Sequence, residues 1–177
     1  MDLFWSKGYE AASLDDLTRA TGVGRQSLYD TFGDKRALYL SALERYRDTT
    51  EGVLLGLLEG PSPLRVALRA CLDHVIREVA PRGRLRGCML VDAVIERAEH
   101  DPAVRRCVDG ACGARTTALE RRFARAQKDG ELGAHHDPRA LAQFFYSTLQ
   151  GMIVVAKSSR DPQALAQIAR VALSVLG

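Results

Sequence analysis

Proline and glycine divide this chain into segments, and their positions constrain its fold more than any other feature. Three of the six prolines directly follow an aspartate, in Asp101-Pro102, Asp137-Pro138 and Asp161-Pro162. Aspartate is a strong N-cap, and proline suits the first helical position because its missing N–H would have no partner there. Each pair therefore predicts the start of a helix, and no proline interrupts a periodic segment.

The segments between these residues carry apolar side chains at helical spacing. Over 64–79 they recur every three or four residues, as on one face of a helix. The same period predicts a short helix from Met89, a longer one that ends at Gly130, and two more over 138–157 and 162–176. No alternating strand of useful length is present, so the sequence predicts an all-α fold.

Composition excludes several other classes of protein. The 177 residues are 46% apolar and 27% charged, which is too apolar for a disordered chain. No run of 18 uncharged apolar residues and no signal peptide is present, so we expect a cytoplasmic protein. None of the four cysteines lies in a Cys-x-x-Cys pair, so we expect free thiols. No phosphate-binding loop or hydrolase motif is present, so we expect neither an enzyme nor a bound cofactor.

The first fifty residues contain short predicted helices joined by informative turns. Ser13 is the N-cap of one helix, with Asp16 three positions on, close to a capping box. A tight turn over 21–24 follows, and a second helix runs from Arg25 to Phe32. Two short helices joined by a turn containing glycine form a helix-turn-helix. The apolar residues expected to pack the pair are Leu14, Leu17, Ala20, Val23, Leu28 and Phe32.

This packing leaves polar side chains outward on the second helix, namely Arg25, Gln26, Ser27, Tyr29 and Thr31. Arginine and glutamine can form bidentate contacts with base edges in the major groove, and serine can pair with several edges. Tyr29 and Lys35 suit DNA phosphates, and Lys35 is helped by the adjacent helix N-terminus. A polar face exposed only to solvent is the alternative that the spacing alone leaves open.

The same residues resemble a known DNA-binding module. The segment from Ser13 to Lys35, with its Gly22-Val23 turn and its Leu28-Tyr29-x-x-Phe32 pattern, is similar to the DNA-binding domain of the TetR family of bacterial transcriptional regulators. The resemblance implies a three-helix DNA-binding domain over residues 1–47 and a larger helical domain over 48–177, which binds an effector and forms a homodimer. The residues expected to contact DNA are Ser13, Arg25, Gln26, Ser27, Tyr29, Thr31 and Lys35.

The chain departs from the family pattern at its start. The first helix of the family usually begins more than ten residues before the Leu3-Phe4-Trp5 stretch, after a basic arm, whereas here Met1 falls inside that helix. We therefore expect either a start codon assigned too far downstream or a domain that lacks part of this helix. Residues 1–50 hold seven Lys/Arg against eight Asp/Glu, and the remainder holds 18 against 14. Bulk attraction to DNA is therefore not expected from this domain, and placed contacts must supply the affinity.

The segment over 138–157 is apolar on nearly every side, which predicts burial against its own domain and against something else. Together with the resemblance, this favours a dimer interface, and a monomeric core is the alternative. The residues expected at the interface are Phe144, Met152, Leu165, Ile168 and Leu173, and Leu173→Glu is expected to give monomers. A dimer would present two recognition helices to successive major grooves of a palindromic site.

The resemblance implies an effector pocket among segments 64–80, 88–99, 103–128 and 138–157. The residues expected to line it are Cys71, His74, Cys88, Asp92, Phe145 and Leu149. Cys71 and His74 share a helix face, but a lone Cys-x-x-His pair is common by chance, so no metal site is predicted. The basic loop at Arg82, Arg84 and Arg86 is expected to be solvated or salt-bridged.

The expected function is repression of transcription, released by an organic small molecule that favours a wider spacing of the recognition helices. One alternative is redox or electrophile sensing through Cys88, which lies where a predicted helix begins and a thiolate is favoured. Control by a protein partner, and activation in place of repression, are further alternatives that the sequence leaves open.

Overall fold

A computed structural model of the chain describes residues 1–79, 87–159 and 161–177, and in these ranges it contains helices and their connections but no strand. The α-helices in the described residues are α1 (Asp2–Lys7), α2 (Leu14–Thr21), α3 (Arg25–Phe32), α4 (Lys35–Tyr46), α5 (Gly52–Glu59), α6 (Leu64–Val79), α7 (Met89–Ala93), α8 (Pro102–Lys128), α9 (Pro138–Ser159) and α10 (Pro162–Ser174). The predicted all-α fold is confirmed. The basic loop at Arg82, Arg84 and Arg86 lies outside the described residues.

The three Asp-Pro pairs begin helices α8, α9 and α10, as predicted. In each case the aspartate carboxylate accepts the backbone N–H two residues further on, at 3.0 Å from Ala103, 2.9 Å from Arg139 and 2.8 Å from Gln163. The first N–H groups of a helix have no partner within it, and a capping carboxylate supplies one. Local chemistry therefore determines these boundaries, which is why they were visible in the sequence.

The region over 47–63 differs from the expectation. No helix was predicted over 47–63, whereas the structure contains a π-helix, Arg47–Glu51, followed directly by α5. A second π-helix, Val94–Ala98, follows α7. A π-helix has no distinct apolar period over five residues, and π-helices are rare and often lie at functional sites. Neither was predictable from the spacing of apolar residues.

The described residues form two compact units. The first contains Met1–Thr50 and Gly87–Ala111, and the second contains the described parts of Glu51–Arg86 and Cys112–Gly177. The predicted division after residue 47 lies close to the end of the first segment. The segment Gly87–Ala111 was expected in the larger domain, but it packs with the N-terminal helices in the first unit.

The core of the first unit is aromatic. The rings of Phe4 and Tyr39 meet edge to face, with centroids 5.1 Å apart, and those of Trp5 and Tyr46 do so at 5.0 Å. All four side chains are buried. Such pairs contribute about 0.5–1.5 kcal/mol each beyond the area that they bury. Helix α1 is therefore anchored on α4 by two aromatic contacts.

The second unit is built around α6, α9 and α10, which pack on one another, with α5 against α6. Its core contains Phe123 and Phe145, whose ring centroids lie 5.4 Å apart, together with Leu72 and Met152, which are fully buried. No helix within the described ranges combines the length and the apolar character that crossing a bilayer would need.

Candidate nucleic-acid interface

Helix α2 begins with the predicted capping box. The Ser13 hydroxyl accepts the backbone N–H of Asp16 at 3.1 Å, and the Asp16 carboxylate accepts the backbone N–H of Ser13 at 3.1 Å. Lys7, at the end of α1, pairs with the same carboxylate at 2.9 Å. The hydrogen bond from Lys7, followed by those from Ser13, holds the pKa of Asp16 well below its usual range. Ser13 therefore fixes the start of α2 while it remains exposed.

A left-handed glycine ends α2 and turns the chain towards α3. Gly22 has a φ of 69° and donates its N–H to the carbonyl of Thr18 at 2.9 Å, a conformation that side chains disfavour. Leu17 and Leu28 are buried, as expected, at 3% and 7% exposure. The other members of the expected packing set include three exposed residues, Ala20, Val23 and Phe32. Each helix makes only about two turns, so residues at its end or in the turn extend beyond the contact.

The outward face of α3 carries the predicted polar residues, and Arg25, Gln26, Ser27, Tyr29 and Thr31 are all exposed. Two of them are held by carboxylates. The Arg25 guanidinium lies 2.6 Å from Asp15, and the Gln26 amide donates to Asp30 at 2.8 Å. The Thr31 hydroxyl donates to the backbone carbonyl of Ser27 at 2.8 Å, which is a contact within the helix. The face is therefore polar and ordered. A nucleic acid that binds Arg25 or Gln26 would have to displace the carboxylate now bound to it.

Lys35 lies at the first position of α4, after the N-cap Asp34, whose carboxylate accepts the N–H of Ala37 at 2.7 Å. The Lys35 ammonium lies 4.4 Å from the centroid of the Tyr9 ring. Within the described residues no carboxylate lies within ion-pair distance of this ammonium. Lys35 thus differs from Arg25 and Lys7, each of which is paired with an aspartate.

Hydrogen bonds connect helix α1 and the turn after it to the segment Gly87–Asp101. The Trp5 indole donates to the carbonyl of Gly87 at 2.5 Å, and the backbone N–H of Tyr9 donates to the Glu96 carboxylate at 2.7 Å. The Arg97 guanidinium pairs with Glu10 at 3.3 Å. These partners are 82 or 87 residues apart in the chain, so no local pattern in the sequence could have found them.

A bidentate ion pair joins α4 to the start of α8. Arg36 donates from Nε at 2.6 Å and from Nη2 at 2.8 Å to the two oxygens of Asp101, which is 2% exposed. The Arg36 hydrogen bonds, with help from the N–H groups of Ala103 and Val104, hold the pKa of Asp101 well below its usual range. Asp101 was expected only as an N-cap, and its second role was not visible in the sequence.

Two family models match this chain. The model for bacterial regulatory proteins of the tetR family matches residues 1–42, and that for the tetracyclin repressor-like C-terminal domain matches residues 65–172. The chain belongs to the TetR family. Members are DNA-binding transcriptional regulators and not enzymes, so the expected class of protein is confirmed.

Individual TetR-family proteins match over nearly the whole chain. An uncharacterized HTH-type transcriptional regulator of Bacillus subtilis, YezE, is 32% identical over 99% of this chain and 91% of its own length. The Escherichia coli transcriptional repressor ComR is 27% identical over 98% of this chain and 83% of its own length. A solved complex of the TetR-family regulator CifR, as a cysteine mutant, with a 26-base-pair operator duplex is 30% identical and has a TM-score of 0.88, covering 99% of this chain and 92% of that one.

The five residues expected at the TetR-family dimer interface divide into two groups. Met152, Leu165 and Leu173 are 0%, 3% and 6% exposed, so they lie in the core of the second unit and have no surface for a partner. Phe144, 40% exposed, and the partly buried Ile168 line a surface groove of about 440 Å³ between α9 and α10. When a helix is apolar on every side, its sequence does not show which face is exposed in the folded chain. Leu173→Glu would place a carboxylate in the core, so it cannot serve as the test of dimerisation.

The six residues expected in the effector pocket are divided between the units. Cys71, Phe145 and Leu149 belong to one core cluster of the second unit, with the half-buried His74 on the same helix as Cys71. Burial raises the pKa of the Cys71 thiol to about 12, which makes it inert at neutral pH. Cys88 and Asp92 belong to the first unit. The described residues contain no cluster of three His, Cys, Asp or Glu side chains able to hold a metal ion.

The second unit also contains a polar cluster that was not predicted from the sequence. The Tyr146 hydroxyl donates to the Cys112 sulfur at 3.0 Å and accepts the Gln150 amide at 3.2 Å. The Arg115 guanidinium, 4% exposed, lies 5.7 Å from the centroid of the Tyr146 ring. Burial is the main cause that raises the pKa of Tyr146. One signal was present in the sequence, because Arg115 occupies the helical position that the apolar stripe skips between Ala111 and Ala118.

Proposed function

We propose that this TetR-family regulator is a homodimeric repressor that binds a palindromic operator and releases it when a small organic effector binds. The observation that carries the proposal is the exposed polar face of α3, which presents Arg25, Gln26 and Ser27 together. These side chains match the donor and acceptor pattern of base edges in the major groove. The name of the relative ComR, a transcriptional repressor, supports repression as the direction of control.

Binding requires an exchange of partners on α3. Arg25 leaves Asp15, and the Gln26 amide leaves Asp30, as each meets DNA. Both members of the Arg25–Asp15 pair are largely exposed, so water already weakens this contact and the exchange is inexpensive. Tyr29 and Lys35 supply phosphate contacts beside this face. Since acidic residues slightly outnumber basic ones over 1–50, such placed contacts and not net charge determine the affinity.

The dimer supplies the geometry of the operator. One eight-residue recognition helix offers few contacts, whereas two helices about 34–36 Å apart reach successive major grooves on one face of the duplex. We assign the groove between α9 and α10 to a second copy of the chain. Its lining includes Phe144, Ile168 and Val171, and Val171 is 60% exposed. Covering these side chains removes apolar surface from water, which favours association.

The operator is tested by selecting duplexes from a random pool on the wild-type protein and measuring their affinity by fluorescence anisotropy. We expect an inverted repeat to be enriched. Arg25→Ala and Gln26→Ala then lose preference for the selected duplex over a random one, whereas Arg139→Ala, an exposed arginine at the start of α9, keeps it. Failure of the wild-type protein to enrich any sequence would refute the proposal.

The dimer is tested by sedimentation and light scattering of Val171→Glu, because this side chain is exposed and its replacement leaves the core intact. We expect monomers that bind the selected duplex at least ten-fold more weakly. Val53→Glu is the matched control, since Val53 is 47% exposed on α5 and lies outside the groove. A Val171→Glu protein that remains dimeric at the same concentrations would exclude this surface.

We assign effector binding to the second unit, where the buried Arg115 lies beside Tyr146, a partly buried side chain packed against the apolar core. Binding sites for small molecules commonly combine apolar walls with a few convergent polar groups. A ligand library screened for release of the selected duplex identifies candidates. Tyr146→Phe is expected to keep DNA binding and to weaken the response to the ligand, while Ser147→Ala, an exposed neighbour on α9 outside the groove, leaves the response unchanged. If no ligand releases the selected duplex but a protein fraction does, control by a protein partner would be favoured.

Release through a cysteine is the second candidate. The solved CifR complexes carry substituted cysteines, and Cys88 of this chain is the N-cap of α7. At 2% exposure Cys88 requires local opening before an electrophile can reach it. The test treats the protein–DNA complex with N-ethylmaleimide or diamide. Release that is lost in Cys88→Ser and kept in Cys107→Ser supports this candidate, and release of both variants excludes Cys88.

A further inference from the structure

Among the residues that the structure describes, the partner of the Lys35 ammonium is an aromatic ring and not a carboxylate. The ammonium lies 4.4 Å from the centroid of the Tyr9 ring, which is well within the range of a cation–π contact. A carboxylate partner neutralises a cation and must be displaced when the cation binds a phosphate. A ring attracts the cation to a defined place but leaves its charge and its N–H groups available. Lys35 is therefore both ordered and ready to bind an anion.

The Tyr9 ring itself is fixed from several sides. Its centroid lies 4.9 Å from that of Tyr39 and 4.7 Å from the guanidinium carbon of Arg97. The backbone N–H of Tyr9 donates to the Glu96 carboxylate at 2.7 Å. The preceding Gly8 has a φ of 79°, and a Cβ there would lie 2.1 Å from a Glu96 oxygen, so only glycine allows this approach. The backbone turn and two side-chain contacts thus determine where the ring stands.

Arg97 does not compete with Lys35 for an anion. Its guanidinium pairs with Glu10 at 3.3 Å and lies 3.8 Å from Asp101, so two carboxylates balance its charge. Lys35 has no such partner within the described residues. Of the two cations that the described part of the chain places beside the Tyr9 ring, Lys35 is the one whose positive charge is left for DNA.

We propose that Tyr9 is a positioning residue for operator binding: its ring orders the Lys35 side chain so that the ammonium meets a DNA phosphate. The inference rests on the proposed phosphate contact of Lys35, and it adds that the Tyr9 ring positions the ammonium for this contact. A lysine has a long flexible stem, and ordering this stem before binding removes part of the entropic cost of the contact. Tyr9 itself does not touch DNA in this arrangement.

The test is a double-mutant cycle on the duplex selected with the wild-type protein. Tyr9→Leu keeps apolar bulk and removes the ring, and Lys35→Met keeps the stem and removes the charge. We expect Tyr9→Leu to weaken binding about two- to five-fold for each subunit at low salt. In the Lys35→Met background the same change has no further effect. Tyr9→Phe retains the ring and the wild-type affinity, and Lys128→Met, an exposed lysine at the end of α8, is the control for charge.

Salt dependence separates the two proposals. Lys35→Met is expected to reduce the slope of log affinity against log salt by about 0.9 for each subunit, the value for one lost phosphate contact on B-DNA. An unchanged slope and affinity would refute the phosphate contact of Lys35, and the role of Tyr9 with it. If Lys35→Met weakens binding but Tyr9→Leu costs the same factor in both backgrounds, Tyr9 is only structural and the inference is overturned.

Folding of the variants is monitored by thermal unfolding, because Tyr9 also contacts Tyr39. A second series keeps the packing intact by placing a trifluorinated ring at position 9 of the Tyr9→Phe protein. Fluorination withdraws charge from the ring face without changing its shape appreciably. A fall in affinity with fluorination that disappears in the Lys35→Met background supports the inference, and an affinity independent of fluorination overturns it.

Discussion

Removing the charge of Asp101 should loosen the first unit in a way that depends on pH. Asp101 performs two tasks. It caps α8 by accepting the N–H of Ala103 at 3.0 Å, and it binds Arg36 through two hydrogen bonds of 2.6 and 2.8 Å. Asparagine is as good an N-cap as aspartate. Asp101→Asn therefore keeps the cap through its one oxygen, and removes the charge and the second acceptor that face Arg36.

The magnitude follows from burial. Asp101 is 2% exposed, and hydrogen bonds to charged groups contribute about 1.5–3 kcal/mol each in favourable cases. The Arg36 side chain is 46% exposed, so water takes over its guanidinium when the carboxylate is lost, which places the cost at the lower end. We expect Asp101→Asn to lower the free energy of unfolding by about 2 kcal/mol, or the melting temperature by about 4–8 °C for a chain of this length.

The sign of the pH dependence distinguishes charge from packing. The pKa of Asp101 is held well below its usual value by Arg36, so the stability it contributes is present above about pH 4, its unfolded value. That stability is lost as the pH falls further towards the folded pKa. In urea unfolding curves, the difference between wild type and Asp101→Asn should therefore be constant from pH 7 to 5 and shrink between pH 5 and 3.

The control is Asp109→Asn, which removes a carboxylate that is 63% exposed and lies 3.9 Å from Arg105 on the same helix. We expect this variant to unfold within about 0.5 kcal/mol of wild type at every pH. A loss of stability in Asp101→Asn that is the same at pH 3 as at pH 7 would show that the ion pair is not its cause. A loss no larger than that of the control would refute the argument altogether.

Three further outcomes are expected. Asp15→Asn releases Arg25 from its 2.6 Å ion pair and should tighten binding to the selected duplex about two- to five-fold at low salt, as measured by anisotropy; weaker binding would contradict the exchange of partners. Phe123→Ala empties a fully buried site in the second unit and should cost about 3–5 kcal/mol in urea unfolding. Gly8→Ala, at a φ of 79° and against Glu96, should cost at least about 1–2 kcal/mol, whereas Gly56→Ala in α5, where a Cβ meets nothing, should raise the melting temperature.

The parts of the fold that were predictable from the sequence are those with local causes. The Ser13 capping box, the glycine at the end of α2 and the three Asp-Pro starts each depend on residues within four positions of one another. The helical period likewise predicted the long helices to within a few residues. A short-range interaction involves residues that are close together in the sequence, so the sequence alone predicts these elements.

Contacts between distant segments leave no such pattern. Nothing near Tyr9 in the chain indicates that Glu96 will accept its N–H, and nothing near Arg36 indicates Asp101. Met152, which was expected at a dimer interface, lies in the core of the second unit for a related reason. An apolar stripe shows that a side chain avoids water, but the neighbouring helices decide whether the subunit core or a partner covers it. Phe144 and Met152 are both apolar and lie on one helix, yet one is 40% exposed and the other is buried.

Two arginines were partly predictable from the sequence. Arg115 and Arg122 occupy positions seven residues apart that the apolar stripe of α8 skips, and both are buried, at 4% and 3% exposure. A charge at a core position predicts a buried polar contact, so the sequence carried this signal. Arg122 donates to the carbonyl of Ser62 at 2.8 Å and lies 3.6 Å from Glu131, whose carboxylate also accepts the N–H of Leu64, so it fastens the connection before α6.

Arg115 lies beside the ring of Tyr146, whose hydroxyl donates to the Cys112 sulfur and accepts from the Gln150 amide. Side chains that can exchange partners are what a ligand site needs, since binding must replace one hydrogen bond with another. Arg122→Met should therefore lower stability and leave ligand response intact in the folded fraction, whereas Arg115→Met should alter the response itself.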